Sequence, residues 1–164
     1  MTAEGKQRPF TKDEDQHPNK ILIPLGPALD KVKIVATLQA LSSFRNPLIV
    51  LFNVIELPSR TAPLDPAYYD SEFKEAEKKY LFNVARWLDE QGYHVKMKVA
   101  VARSVVDGII EEANSGGYEA VLLLKRRVKK GLLRRHRSVS EEVSRYVECL
   151  VVTQLIGTKG EKAE

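Results

Sequence analysis

Apolar positions along this chain follow two alternating rhythms. Ile21, Leu22, Ile23, Pro24 and Leu25 form a short unbroken apolar run, as in a strand buried on both faces of a parallel sheet. Pro24 belongs near that strand's end, because proline cannot donate to the ladder. From Asp30 the spacing becomes helical: Val32, Val35, Leu38 and Ala40–Leu41, with Ile34 beside them, make a stripe ending near Phe44. Asn46 turns the chain, and Leu48 to Ile55 predicts a second strand. Pro58, Pro63 and Pro66 make the stretch from Leu57 to Ala67 a loop. Tyr69, Phe73, Ala76, Tyr80, Val84 and Trp87 then recur every three or four residues, a long amphipathic helix stopped by Gly92.

Tyr93, Val95, Met97, Val99 and Val101 alternate with His94, Lys96, Lys98 and Ala100, which predicts a strand at or near a sheet edge. Ser104 with Asp107 forms a capping pattern ahead of Val105, Val106, Ile109, Ile110 and Ala113, and Gly116 and Gly117 close that helix. Val121 to Leu124 reads as a buried strand, Ser138 with Glu141 caps another helix, and Cys149 to Ile156 is the last strand. Strand and helix alternate throughout, so the fold class is α/β: a parallel sheet with helices on both faces and right-handed crossovers. Ligands of such sheets bind beyond the carboxyl ends of the strands at the switch point, here the loops after Leu25, Ile55 and Leu124. Residues 1–19 are polar and read as a disordered tail or linker, 20–156 as the folded domain, and 157–164 as a flexible tail.

Charge adds one feature. Eight Lys or Arg residues and no acid lie between Lys125 and Arg137. Removing those eight from the 26 leaves 18 basic against 22 acidic residues, a net of −4 elsewhere in a chain whose formal charge is +4. One segment therefore carries the whole positive excess and is the first place to seek an anionic partner. The single cysteine, Cys149, permits no intrachain disulfide, which fits a reducing cytosol, and its apolar neighbours predict a buried structural thiol. No apolar stretch reaches the roughly 18 residues of a membrane span, and no signal peptide is expected.

Several segments taken together resemble the universal stress protein family: the opening KILIPLG, the second strand running into NVIELP, the block SVVDGIIEEA…YEAVLLL, and the closing SVSEEVSRYVECLVVTQ. The resemblance runs from Lys20 to about Gln154. It implies an open five-stranded sheet of order 3-2-1-4-5, of the adenine nucleotide alpha hydrolase-like class. Nucleotide-binding members carry an aspartate just after the first strand and a loop Gly-x2-Gly-x9-Gly-Ser after the fourth, whose N–H groups wrap phosphates. Here Gly26 stands at the aspartate position, and Asp30, too late, suits a helix cap. Lys125, Val128 and Arg137 replace the loop glycines, with Gly131 and Ser138 retained. The resemblance thus implies a degenerate site with no tightly bound cofactor, ATP remaining possible. NVIELPSRTAPLD further resembles the version of this domain attached to amino-acid permeases, where a similar proline-rich turn follows the second strand.

Three readings of the basic segment stand side by side: a solvated charge run, a phosphate site, or a contact with the anionic lipid surface beside a transporter's membrane domain. The candidate anion-binding residues are Lys125, Arg126, Arg127, Lys129, Lys130, Gly131, Arg137, Ser138 and Ser140, with helix capping the plainer role for Ser138. Nucleic acid is not expected, since no aromatic residues interleave with the charges. His17, His94 and His136 lack metal spacing, and no nucleophile with a base or paired carboxylates stands out, so neither a metal nor a catalytic set is expected. The functional expectation is a non-catalytic regulatory or sensory domain, cytoplasmic, with a transporter appendage as its setting. The alternatives are a free-standing ATP-binding stress protein and, in third place, a nucleotide-hydrolysing enzyme. Leu150 to Ile156 holds neither charge nor proline, and in the family's strand order it is an outer edge. A homodimer paired through Val151, Val152, Thr153, Gln154 and Leu155 is therefore expected.

Overall fold

A computed structural model describes residues 19–41, 43–57, 59, 61–127 and 138–157. Five strands, β1 (Lys20–Pro24), β2 (Leu48–Glu56), β3 (His94–Ala102), β4 (Ala120–Arg126) and β5 (Leu150–Ile156), form one sheet. Every pairing is parallel and the order is β3-β2-β1-β4-β5. This is the order that the family resemblance implies, with the alternating strand β3 at one edge and β5 at the other. The switch point falls between β1 and β4, where the winding reverses direction. The predicted tails lie outside the described residues except at their inner ends, where the Asn19 carbonyl already accepts from the Leu48 amide at 2.8 Å.

The helices are α1 (Lys31–Ala40), α2 (Asp70–Ala76), α3 (Phe82–Glu90), α4 (Val105–Ser115) and α5 (Val139–Tyr146). A 3₁₀ turn (Pro66–Tyr69) leads into α2, and a π-helical turn (Glu77–Leu81) joins α2 to α3. Strand pleating sorts the core into two layers. Ile21, Ile23, Ile49, Leu51 and Leu122 face α1, α3 and the π turn, whereas Leu22, Val50, Phe52, Val121 and Leu123 face α4 and α5. Three predicted caps form: Asp30 accepts from the Lys33 amide at 3.1 Å, Ser104 from Asp107 at 3.0 Å and Ser138 from Glu141 at 3.3 Å. Gly92 (φ 92°) and Gly117 (φ 73°) end α3 and α4 in the left-handed region, where a Cβ would be strained.

Two predicted stripes shift. On α1 the predicted Val32 is 68% exposed, while Leu38 and Ile34 are buried as expected and Thr37 joins them. In the long helix the buried series is Ala76, Leu81, Val84 and Leu88, so the stripe slips by one residue at the π turn. There the Phe82 amide bonds back to the Glu77 carbonyl, and the extra residue per turn swings Tyr80 and Trp87 to half-buried flanks. The fourth strand also outruns its apolar run. Lys125 and Arg126 are the last residues of β4, paired with Leu155 and Ile156, rather than the start of a loop.

Candidate functional site

At the carboxyl ends of β1, β2 and β4 lies a cavity of about 370 Å³, within the size range of small-molecule sites. The chain leaving β1 forms one wall through Leu25, Gly26, Pro27 and Ala28. Phe52, Asn53 and Val54 of β2 and Leu123 and Leu124 of β4 supply the floor. Val105 and Ile109 of α4, Val139 of α5 and Tyr80 of the π turn also line it. Of the three loops singled out from the sequence, the one after Leu25 lines this cavity, and the one after Leu124 is represented only by the strand residues that precede it and by Val139 beyond it. Val105, Val139 and Tyr80 were not foreseen. The capping serines just ahead of Val105 and Val139 could have located the first two, since residues at the start of a helix after a strand face this end of the sheet. Nothing in the sequence marks Tyr80, whose position depends on the π turn.

The lining is mostly aliphatic. The one amide side chain among the described lining residues, Asn53, donates to the Leu25 carbonyl at 2.7 Å and is 8% exposed. Among the described lining residues there is no carboxylate and no histidine. A Cβ added at Gly26 would meet nothing within 4 Å among the described residues. A second hollow of about 270 Å³ adjoins the first, sharing Gly26, Pro27 and Tyr80 and adding Leu29 and Lys79.

The described part of the basic segment stands beside this cavity. Arg126 reaches back across the switch point and donates from Nη2 to the Pro27 carbonyl at 3.0 Å. Lys125 pairs with Glu141 at 3.5 Å, and Arg127 is exposed. Ser138 caps α5, and its Oγ lies 3.0 Å from Oγ of the buried Ser140. These three basic residues and two serines are therefore brought to one end of the sheet, while Lys129, Lys130, Gly131 and Arg137 lie outside the described residues. Among the described residues no three His, Cys, Asp or Glu side chains are grouped to hold a metal ion. No described helix is long and apolar enough to cross a membrane.

Cys149 is half-buried ahead of β5, against the layer beneath α4 and α5. Burial raises its thiol above the ordinary cysteine pKa, a backbone hydrogen bond opposes the rise, and the Glu119 carboxylate adds to it. Val151 to Leu155 occupy β5, whose one partner among the described strands is β4.

Solved structures decide the fold. A universal stress protein from Archaeoglobus fulgidus superposes with a TM-score of 0.59 at 17% identity, covering 82% of this chain and 92% of that one. The fold is that of the universal stress proteins. One from Lactobacillus plantarum gives 0.60 at 14% identity over 84% and 97% of the two chains. A universal stress protein family member from Arabidopsis thaliana, solved with AMP bound, gives 0.55 at 16% identity over 88% and 95%. No protein-family model matches the chain, and no curated protein matches it significantly.

Proposed function

We propose that this chain is a non-catalytic sensory or regulatory domain of the universal stress protein type, its switch-point cavity serving as a ligand chamber that no longer holds ATP tightly. Gly26 carries this reading. It lines the cavity at the position where nucleotide-binding members place an aspartate, and among the described residues nothing lies within 4 Å of where a Cβ would stand. Without the carboxylate an adenosine loses a charged hydrogen-bond acceptor, an interaction contributing about 1.5–3 kcal/mol. The aliphatic lining leaves other polar edges of a nucleotide without partners.

Calorimetric titration with ATP-Mg and with AMP tests the proposal. The expected result is no saturable site at micromolar concentration, and at most a weak signal that salt removes. The AMP held by the similar Arabidopsis structure supports a second reading, a stress protein that still binds nucleotide through an altered loop. A saturable micromolar site would favour that reading.

The setting proposed is the cytoplasmic domain of an amino-acid-permease-type transporter, supported by the likeness of NVIELPSRTAPLD to the turn found in such appendages. In that setting the basic segment from Lys125 to Arg137 lies near an anionic leaflet, each basic residue close to the surface contributing about 1 kcal/mol. Binding to phosphatidylserine vesicles should then fall steeply with salt and on changing Lys129, Lys130, Arg134 and Arg135 to glutamine. Equal binding to neutral vesicles would return the segment to a solvated charge run. Pairing of two copies along β5 completes the proposal.

A further inference from the structure

From the cavity's lining and the cations at its mouth, we infer that the ligand is a small alkyl carboxylic acid, its chain in the switch-point cavity and its carboxylate between Lys79 and Arg126. The inference rests on the reading of this cavity as the ligand chamber and specifies the chemistry of its occupant.

Three observations converge. Branched aliphatic side chains dominate the lining, among them Leu25, Val54, Val105, Ile109, Leu124 and Val139. Such walls reward an apolar chain by removing it from water, whereas buried hydroxyls or ring nitrogens would be left unpaired. Among the described lining residues only Asn53 and Tyr80 carry polar side-chain atoms, and Asn53 already donates to the Leu25 carbonyl. The apolar volume therefore selects a body without polar groups of its own.

The rim supplies the opposite chemistry. Lys79 lines the adjoining hollow together with Gly26, Pro27 and Tyr80, residues shared with the main cavity. Arg126 spends one N–H on the Pro27 carbonyl, which places its guanidinium at the same wall. A guanidinium offers five donors, in a fork that matches a carboxylate. One cation, Lys79, thus lines the hollow, and a second, Arg126, is held against the Pro27 backbone that both spaces share, with no carboxylate among the described lining residues of either. An anion leaving water requires such partners, and a neutral amphiphile leaves them unused.

The π turn is part of this arrangement. Because Glu77–Leu81 adds a residue to the helical repeat, Tyr80 lines both spaces while Leu81 takes its place in the core. With regular α geometry the Tyr80 stripe would continue inward, as the apolar spacing of the sequence predicts. π turns of this kind are frequent at functional sites.

Titration of the protein with decanoate, decanol and ATP-Mg by calorimetry at moderate salt gives the test. Decanoate should bind saturably and decanol on the order of tenfold more weakly. Lys79→Gln and Arg126→Gln should each weaken decanoate about two- to fivefold, as for partly exposed charge pairs, without affecting decanol. Gly26→Asp should weaken decanoate and spare decanol, because its carboxylate opposes the ligand's charge. Val105→Trp fills the cavity and should abolish binding of both alkyl compounds. Val139→Trp does the same from a side chain that is 44% exposed, where a folding defect is not expected. Absence of decanoate binding overturns the assignment, as does equal binding of decanol or unchanged affinity in both tryptophan variants. Saturable ATP binding would instead remove the underlying reading, so the two failures are distinguished by different titrants.

Discussion

The Asn53 side-chain amide donates to the carbonyl oxygen of Leu25 at 2.7 Å, and this bond joins the end of β2 to the chain leaving β1 at the wall of the cavity. Just outside it, the Leu25 amide donates to the Phe52 carbonyl at 2.7 Å, so the two strands stay fastened past the last residue of β1. Replacing Asn53 by leucine keeps the bulk and removes the donor. Leaving a buried carbonyl unpaired costs about 1–3 kcal/mol, so Asn53→Leu should lower unfolding stability by that amount in urea. Unchanged stability would mean that water reaches the Leu25 carbonyl and that this wall is looser than the short bond implies.

Gly108 should resist substitution even though it sits inside α4, where glycine is a poor helix former. A Cβ there would lie 2.8 Å from both methyl carbons of Val54 and 3.1 Å from the Ala102 Cβ. Alanine gains about 1 kcal/mol in helix propensity, against about 1–3 kcal/mol for overpacking. Thermal melts should show Gly108→Ala destabilised, and Val54→Ala in the same chain should recover part of the loss. A more stable single variant would show that α4 can move off β2 at little cost.

Cys149 should react slowly with iodoacetamide at neutral pH and accelerate only above the range of an ordinary thiol. In the folded chain burial holds the neutral form, so the thiol ionises at higher pH than it does unfolded. The unfolded state therefore releases this proton first as pH rises. The contribution to stability is complete below the ordinary thiol pKa and is lost as pH climbs through the raised value. Cys149→Ala should flatten that part of the stability profile. Fast alkylation at pH 7 would contradict the burial argument.

The exposed edge of β5 should pair two copies of the chain. Leu150 and Leu155 are 50% and 43% exposed on a strand without charge or proline. Sedimentation equilibrium at tens of micromolar should then report twice the 18.5 kDa chain mass, and Thr153→Lys, placing a charge on the same exposed edge, should shift it toward monomer. A monomeric parent chain would refute the pairing, and an unaltered dimer in the variant would put the interface elsewhere.

The sequence alone determined the succession of strands and α-helices, because each announces itself through local spacing, whereas the strand order was implied by the family resemblance. The unbroken apolar run at Ile21 to Leu25 and the alternation at Tyr93 to Val101 separate a central strand from an edge strand. Asp30, Ser104 and Ser138 mark helix starts by chemistry that acts over three residues, and Gly92 and Gly117 mark ends by their φ angles. Tertiary packing alone decided which face of α1 turns inward, since Val32 and Ile34 are both apolar and only the sheet distinguishes them. It also decided the slip at Tyr80, because a π turn inserts one residue into a helical rhythm without changing the composition of the stripe. The extension of β4 through Lys125 and Arg126 depended on the pairing partner offered by β5. The cavity arises in the same way. Gly26, Val54, Tyr80, Val105, Leu124 and Val139 are far apart in the chain and meet because parallel strands with crossover helices bring all their carboxyl ends to one side.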